Sequence, residues 1–374
     1  MELRVALAAG ALLGLAACAS SSGPKPADLP VLKQPREVRL LWSARVGTAG
    51  SFVFSPALVG DGVVVAARDG AVRRLDAADG KERWRAELDV QLSAGAGADS
   101  RTVAVATEEG DVLALDAETG KLRWRARVSS EVLASPRVTG SLVLVRSADS
   151  RIFAFDAEDG KRRWVYQRAS APLMVRTPAG LSVLQGSVYA GFSGGKLVAL
   201  GLANGGVRWE ATVALPKGAT ELERVTDVVG DPAVVGREVC AASFQGRIAC
   251  FDVQNGNQIW ARDMSTVTGA SVDARYAFVS DDRGAVHALD RSSGRSLWKQ
   301  DRLANRQLSL PLPLGAEVVA GDLEGYVHVL ARETGEFSAR ASTDGSPVRA
   351  APIRLNNGFL VQTQSGGLYA LTLQ

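Results

Sequence analysis

The chain has 374 residues, of which 46% are hydrophobic and 22% charged, and a net charge of only +3. This is a globular balance, long enough for two ordinary domains or one large β architecture; the weak charge, without any long Lys/Arg run, argues against a nucleic-acid partner. Two histidines and three cysteines leave little material for a His/Cys metal site or a Cys–His nucleophile, and neither a cofactor nor a metal is expected.

The chain opens with a processing segment rather than with fold. Arg4 gives a short positive start, weakened by Glu2, and Val5 to Leu15 is apolar but shorter than the ~20 residues a membrane-spanning helix needs. It ends in Leu15-Ala16-Ala17-Cys18, which resembles the lipobox of bacterial lipoproteins. The resemblance implies a signal peptide over residues 1–17, cleavage before Cys18 and acylation of the new N-terminus. Ala19 in place of an aspartate implies sorting to the outer membrane. The alternative is an ordinary secretory cut near Ala17 or Ala19, with Cys18 incidental. Residues 18–36 follow, rich in Ser, Gly and Pro. They are expected to be the acylated Cys18 and a flexible tether, of which residues 19–35 reach at most roughly 60 Å when extended.

From residue 37 onward the chain repeats itself. The stretch 70-GAVRRLDAADGKERW-84 returns as 110-GDVLALDAETGKLRW-124 and 150-SRIFAFDAEDGKRRW-164, and then as copies ending at Trp209, Trp260 and Trp298. A seventh copy, 325-GYVHVLARETGEFSA-339, keeps the frame but puts Ala339 where tryptophan belongs. An eighth, 366-GGLYALTLQ, runs out of chain. Trp42 stands one repeat length before Trp84 and supplies the end the eighth copy lacks. All seven tryptophans (Trp42, Trp84, Trp124, Trp164, Trp209, Trp260 and Trp298) thus fall on one repeat position.

Each copy carries four short runs of strand-forming residues split by Asp-Gly-type turns, in the ~40–45 residues of one propeller blade. The expected architecture is all-β: an eight-bladed β-propeller over residues 37–374, with four antiparallel strands per blade and no long helix. Gly120 can take the positive φ that ends a tight loop, and Asp116 can accept loop N–H groups. Trp124 can cover the seam between blades and still satisfy its N–H. Pro56, Pro136 and Pro352 are expected at the start of first strands, where a missing N–H is tolerated. The termini predict closure, with Arg39–Arg45 serving as the fourth strand of the last blade so that no sheet edge is left open.

The pattern Leu-Asp-Ala-x-(Thr/Asp)-Gly-Lys-x-x-Trp resembles the tryptophan-docking repeat of quinoprotein propellers. Two classes share it: the quinone-dependent dehydrogenases, and BamB, the lipoprotein propeller of the outer-membrane β-barrel assembly machinery. The dehydrogenase class implies a longer chain, an adjacent Cys-Cys pair over the cofactor and a bound calcium. Here Cys240 and Cys250 are ten residues apart, and the repeated Asp76, Asp116, Asp156, Asp252 and Asp290 recur too regularly to converge on one site. The BamB resemblance rests on the lipobox, the Pro-rich tether and the eight-blade length. It implies a monomeric, non-enzymatic scaffold, held by its lipid at the periplasmic face of the outer membrane. Its partners would be a periplasmic domain of the barrel-inserting protein BamA, other Bam subunits and unfolded outer-membrane proteins. A generic periplasmic scaffold or ligand sensor remains a third reading.

Two repeat spacings are stretched. Gly195 follows Ser150 by 45 residues and Gly246 follows Gly195 by 51, against 38 to 41 elsewhere. Insertions in such architectures map to loops, often on the binding face. The long segments 165–180 and 211–232 belong to neighbouring blades, so they are expected to form one surface. In 172-PLMVRTP-178, the apolar-x-apolar-Arg pattern resembles the stretch by which BamB proteins contact BamA, which places that role on Leu173, Val175 and Arg176. In 221-ELERVTDVV-229, Asp227 matches the first of the family's two acidic residues. Val229 stands at the second, for which nearby Asp231 is a substitute. The competing reading has Leu173 and Val175 alternating inward on a first strand.

His287 and His328 share one repeat position, elsewhere taken by varied residues, and are read as structural filler. Cys240 and Cys250 flank the Gln245-Gly246 turn. A two-residue loop sets the thiols off register, a three-residue loop opposes them, and the sequence reading leans against the disulfide.

Overall fold

A computed structural model describes residues 24–169, 171 and 173–374. The expected signal peptide and Cys18 lie outside the described residues. The described chain forms eight four-stranded antiparallel sheets and contains no helix. Blade 1 consists of Ala57–Val59, Gly62–Ala66, Ala71–Asp76 and Glu82–Glu87, and the next six blades repeat that order. Pro56, Pro136 and Pro352 each immediately precede a first strand.

Both faces of each blade are covered by its neighbours, so the middle strands are apolar without alternation. Val63, Val64 and Val65 are all fully buried. The core is divided among the seams. Val105, Leu113 and Leu115 of blade 2 pack with Phe54, Val64 and Ala66 of blade 1, and similar clusters fill the other seams.

The tryptophans lock those seams. Trp124, on the outer strand of blade 2, donates its Nε1–H to the carbonyl of Ala157 in blade 3 at 3.0 Å. Its ring lies over Gly160, where a Cβ would stand 2.7 Å from the indole, and Gly160 has φ +72°. Glycine is therefore required twice over, for the turn and for the ring above it. The same step joins Trp42 to Ala77, Trp84 to Ala117, Trp164 to Leu202, Trp209 to Val253, Trp260 to Arg291 and Trp298 to Arg332. Most docking turns are braced by an aspartate, replaced by Gly201 in blade 4 and Ala331 in blade 7. Asp116 Oδ1 accepts the N–H groups of Glu118 and Thr119. Partial burial raises the Asp116 pKa, but the Thr119 bonds and Arg123 outweigh it and hold the value at about 2.

Closure comes from the two ends of the chain. The strand Val38–Arg45 pairs with Gly367–Leu373, and Trp42 stands opposite Ala370. In this last blade the turn between third and fourth strands is replaced by the chain break. Blade 7 consequently has no tryptophan-docking turn ahead of it, which explains Ala339. Arg36 occupies the break, donating from Nη1 to Glu317 at 2.6 Å and from Nε to the Gln374 carbonyl at 3.1 Å.

Two sequence expectations change. Cys240 and Cys250 are directly opposed and disulfide-bonded. Ala242 pairs with Ile248, so a three-residue loop of Phe244, Gln245 and Gly246 sets the register. The stretch expected as a flexible tether is held to the propeller body over residues 25–36, which hydrogen-bond to it.

Candidate functional site

The turns between second and third strands and the connections between blades lie at one end of the ring, here called the loop face. The tryptophan-docking turns lie at the other. The two long insertions both emerge on the loop face, one between Arg162–Gln167 and Leu181–Leu184, the other between Val207–Thr212 and Val228–Val235. Leu173 and Val175 therefore sit on a loop rather than a first strand.

The insertions meet at Asp227. Asp227 Oδ2 accepts the Val175 N–H at 2.6 Å. Asp227 is buried; desolvation pushes its pKa up, opposed by the Val175 and Gly194 amides and by Arg146. Arg146 donates to the Ala179 carbonyl at 3.1 Å and its guanidinium lies 4.9 Å from the Phe192 ring centre. Desolvation lowers its pKa to about 10 against the pull of Asp227 and Asp231, so it stays charged at neutral pH. Arg146, Met174, Val175 and Asp227 line a cavity of about 250 Å³ beneath the loop.

Arg176 reaches sideways. Its guanidinium pairs with Glu131 at 2.7 Å and Glu108 at 3.6 Å, and lies 5.4 Å from the Phe52 ring centre. With its base and flank held this way, the loop leaves its apolar tip in solvent: Leu173 is 49% and Met174 40% exposed. The second insertion adds Leu222, 71% exposed, on a turn closed by a capping box. There Glu223 accepts the Ala219 and Thr220 amides, while Thr220 accepts that of Glu223.

The sequence singles out Leu173, Val175, Arg176 and Asp227 as candidates, and the structure brings all four to one loop junction. Leu173 faces solvent and Val175 is partly buried. Asp227 is turned inward as the staple of the loop. Asp231 lines the axial channel instead and is exposed there. Sequence reasoning missed Met174, Leu222, Glu131 and Arg146. The first two lay in plain view within the stretched spacings; the last two lie in regular copies and carried no signal.

Chemically this junction offers contact rather than reaction. His287 and His328 lie elsewhere, each bonded through Nε2 to an aspartate, Asp281 and Asp322, at 2.8 Å. Among the described residues no group of three or more His, Cys, Asp or Glu is placed to hold a metal ion. No described helix is long and apolar enough to cross a membrane.

Fold and site together define a quinoprotein-type eight-bladed propeller with two long insertions joined on its loop face. Residues 37–89 and 68–300 match the family described as outer membrane protein assembly factor BamB. The chain is 44% identical to the factor of that name from Bordetella pertussis, covering 96% of this chain and 94% of that protein. It is 41% identical to the one from Burkholderia pseudomallei, covering 96% and 95%. The crystal structure of BamB from Moraxella catarrhalis superposes with a TM-score of 0.82 at 27% identity, over 90% of this chain and all of that one. Quinohemoprotein alcohol dehydrogenase from Comamonas testosteroni gives 0.70 at 15% identity, over 90% and 76%, a likeness of fold alone. The chain belongs to the BamB family.

Proposed function

We propose that the chain is a non-enzymatic scaffold subunit of the outer-membrane β-barrel assembly machinery, anchored through an acylated Cys18 at the periplasmic face of the outer membrane. Leu173 and Met174, flanked by Val175 and Arg176, form the contact for a periplasmic domain of BamA. The observation that carries this reading is the Asp227–Val175 bond. It spends a buried carboxylate on fixing a loop whose tip is apolar and exposed, an arrangement that stability alone does not reward. An apolar anchor beside an arginine has the composition of an interface centre. Family membership supports the same assembly role.

The test is co-purification from solubilised outer membranes. Replacing Leu173→Asp and Met174→Asp together should abolish BamA recovery, with the melting temperature within about 2 °C of the parent because both side chains are surface-exposed. Undiminished recovery would remove this patch from the reading. Mass spectrometry of the mature N-terminal peptide tests the anchor separately.

A further inference from the structure

The N-terminal stretch before the propeller does not hang free. Lys25 presents its carbonyl to Asn305 Nδ2 at 3.1 Å, and the Ala27 N–H donates to the Ala304 carbonyl at 2.9 Å. The Ala27 carbonyl accepts from Arg306 Nη1 at 2.8 Å, and that of Pro30 from Arg340 Nη2 at 2.9 Å. The Arg36 N–H then donates to the Ser338 carbonyl at 2.8 Å. Ala304 and Arg306 lie in the connection between blades 6 and 7, on the loop face. Ser338 lies near the docking-turn end of the outer strand Phe337–Ser342. The segment therefore runs down the outside of blade 7 from the loop face before turning up into Val38–Arg45.

The receiving groups are built in. Arg306 is 2% exposed and Asp322 is fully buried. The guanidinium is shared between Asp322 at 2.6 Å, the Glu324 carboxylate and the Ala27 carbonyl. A buried guanidinium is tolerated only when its donors are satisfied. Without the segment, Nη1 would lose its recorded acceptor. The segment also covers part of a sheet edge at Ser338, a protection exposed outer strands need.

We infer that residues 25–36 are a strap belonging to the folded body, and that it delivers the acylated end at the loop face, so that this face is turned toward the lipid surface. The orientation rests on the anchor reading above; the strap does not. Seven residue steps separate Cys18 from Lys25, a reach of at most about 25 Å at 3.3–3.6 Å per residue. The docking-turn end of the ring is then held away from the bilayer, and the face bearing the two long insertions lies beside it.

Two measurements on the full-length, membrane-extracted protein separate these parts. Hydrogen exchange should show the Ala27 and Arg36 amides slowed by about two orders of magnitude relative to a free peptide of residues 24–36; exchange at the peptide rate overturns the strap. In liposomes carrying headgroup-quencher lipids, a fluorophore at Arg283→Cys (loop face, blade 6) should be quenched several-fold more than one at Glu336→Cys (docking-turn face, blade 7). Equal or reversed quenching overturns the orientation. The variant Arg306→Ala/Arg340→Ala should erase the difference. Ala27→Pro, which removes one amide and leaves the buried ion cluster intact, serves if that variant fails to fold. An unmodified Cys18 by mass spectrometry overturns the orientation through the anchor, while the exchange result still decides the strap.

Discussion

The carboxylate of Asp227 accepts the amide of Val175 at 2.6 Å, joining two insertions that leave the ring from opposite sides of blade 4. Replacing Asp227→Ala removes that acceptor but also removes a buried carboxylate that is costly to desolvate. Global stability should change by no more than about 1 kcal/mol. The Val175 amide should exchange at least about tenfold faster and BamA recovery should fall. Hydrogen exchange and co-purification check the two halves, and full recovery with a mobile loop would show that the fixed loop is unnecessary.

Arg176 is tied to Glu131 and Glu108, so it can act by positioning the loop or by touching the partner. Arg176→Glu should lower recovery either way, because it sets three carboxylates together. The charge swap Arg176→Glu/Glu131→Arg rebuilds the internal pair. Restored recovery would make Arg176 a positioning residue, and continued loss a contact residue. The Asp227-held geometry predicts restoration to at least half the parent level, read by quantitative pull-down.

The tryptophan seams predict an asymmetry. Trp124→Ala should cost about 3–5 kcal/mol, since it empties a buried site and leaves the Ala157 carbonyl without its donor. Ala339→Trp restores the repeat consensus yet should destabilise by about 1–3 kcal/mol, because Ala339 is fully buried and no docking turn follows it. Urea unfolding distinguishes the two, and stabilisation by Ala339→Trp would refute the account of the missing eighth tryptophan.

His328 predicts a pH dependence. Burial holds its pKa below the ordinary 6.5, against the pull of Asp322. Below pH 6.5 the folded chain therefore binds fewer protons than the unfolded one, and stability falls on acidification until the lowered folded pKa is passed. The melting temperature should be flat above pH 6.5 and decline as the pH falls below it. His328→Gln should flatten that window in calorimetry while leaving the carboxylate-driven loss at lower pH.

Deleting residues 37–46 removes the outer strand of the last blade together with Trp42. The last blade is then left with one bare edge along Gly367–Leu373, and the truncated chain should aggregate. Soluble, monomeric protein in size-exclusion chromatography would count against closure by the N-terminal strand.

The repeat was legible because one packing problem is solved seven times with the same residues. A tryptophan needs a glycine beneath it and a carbonyl at its edge, and both stand at constant places within a copy, as Ala117 and Gly120 do before Trp124, although each serves the tryptophan of the preceding blade. The insertions were legible as breaks in that spacing. The pairing of Cys240 with Cys250 was not, because one residue of loop length decides between opposed and staggered thiols. Glu131 and Arg146 were silent for a related reason. They stand at ordinary positions of regular copies, and only the return of a distant loop gives them work.

The sequence by itself determined the ring, its number of blades, the strand borrowed from the N-terminus and the stretches where the two long insertions depart. Those are periodic or local properties, written in neighbouring residues. The tertiary structure alone decided that Asp227 faces inward, that Arg176 is held by Glu131, and that residues 25–36 lie along blade 7. Each depends on groups brought together from distant parts of the chain, and no spacing along the sequence encodes that meeting.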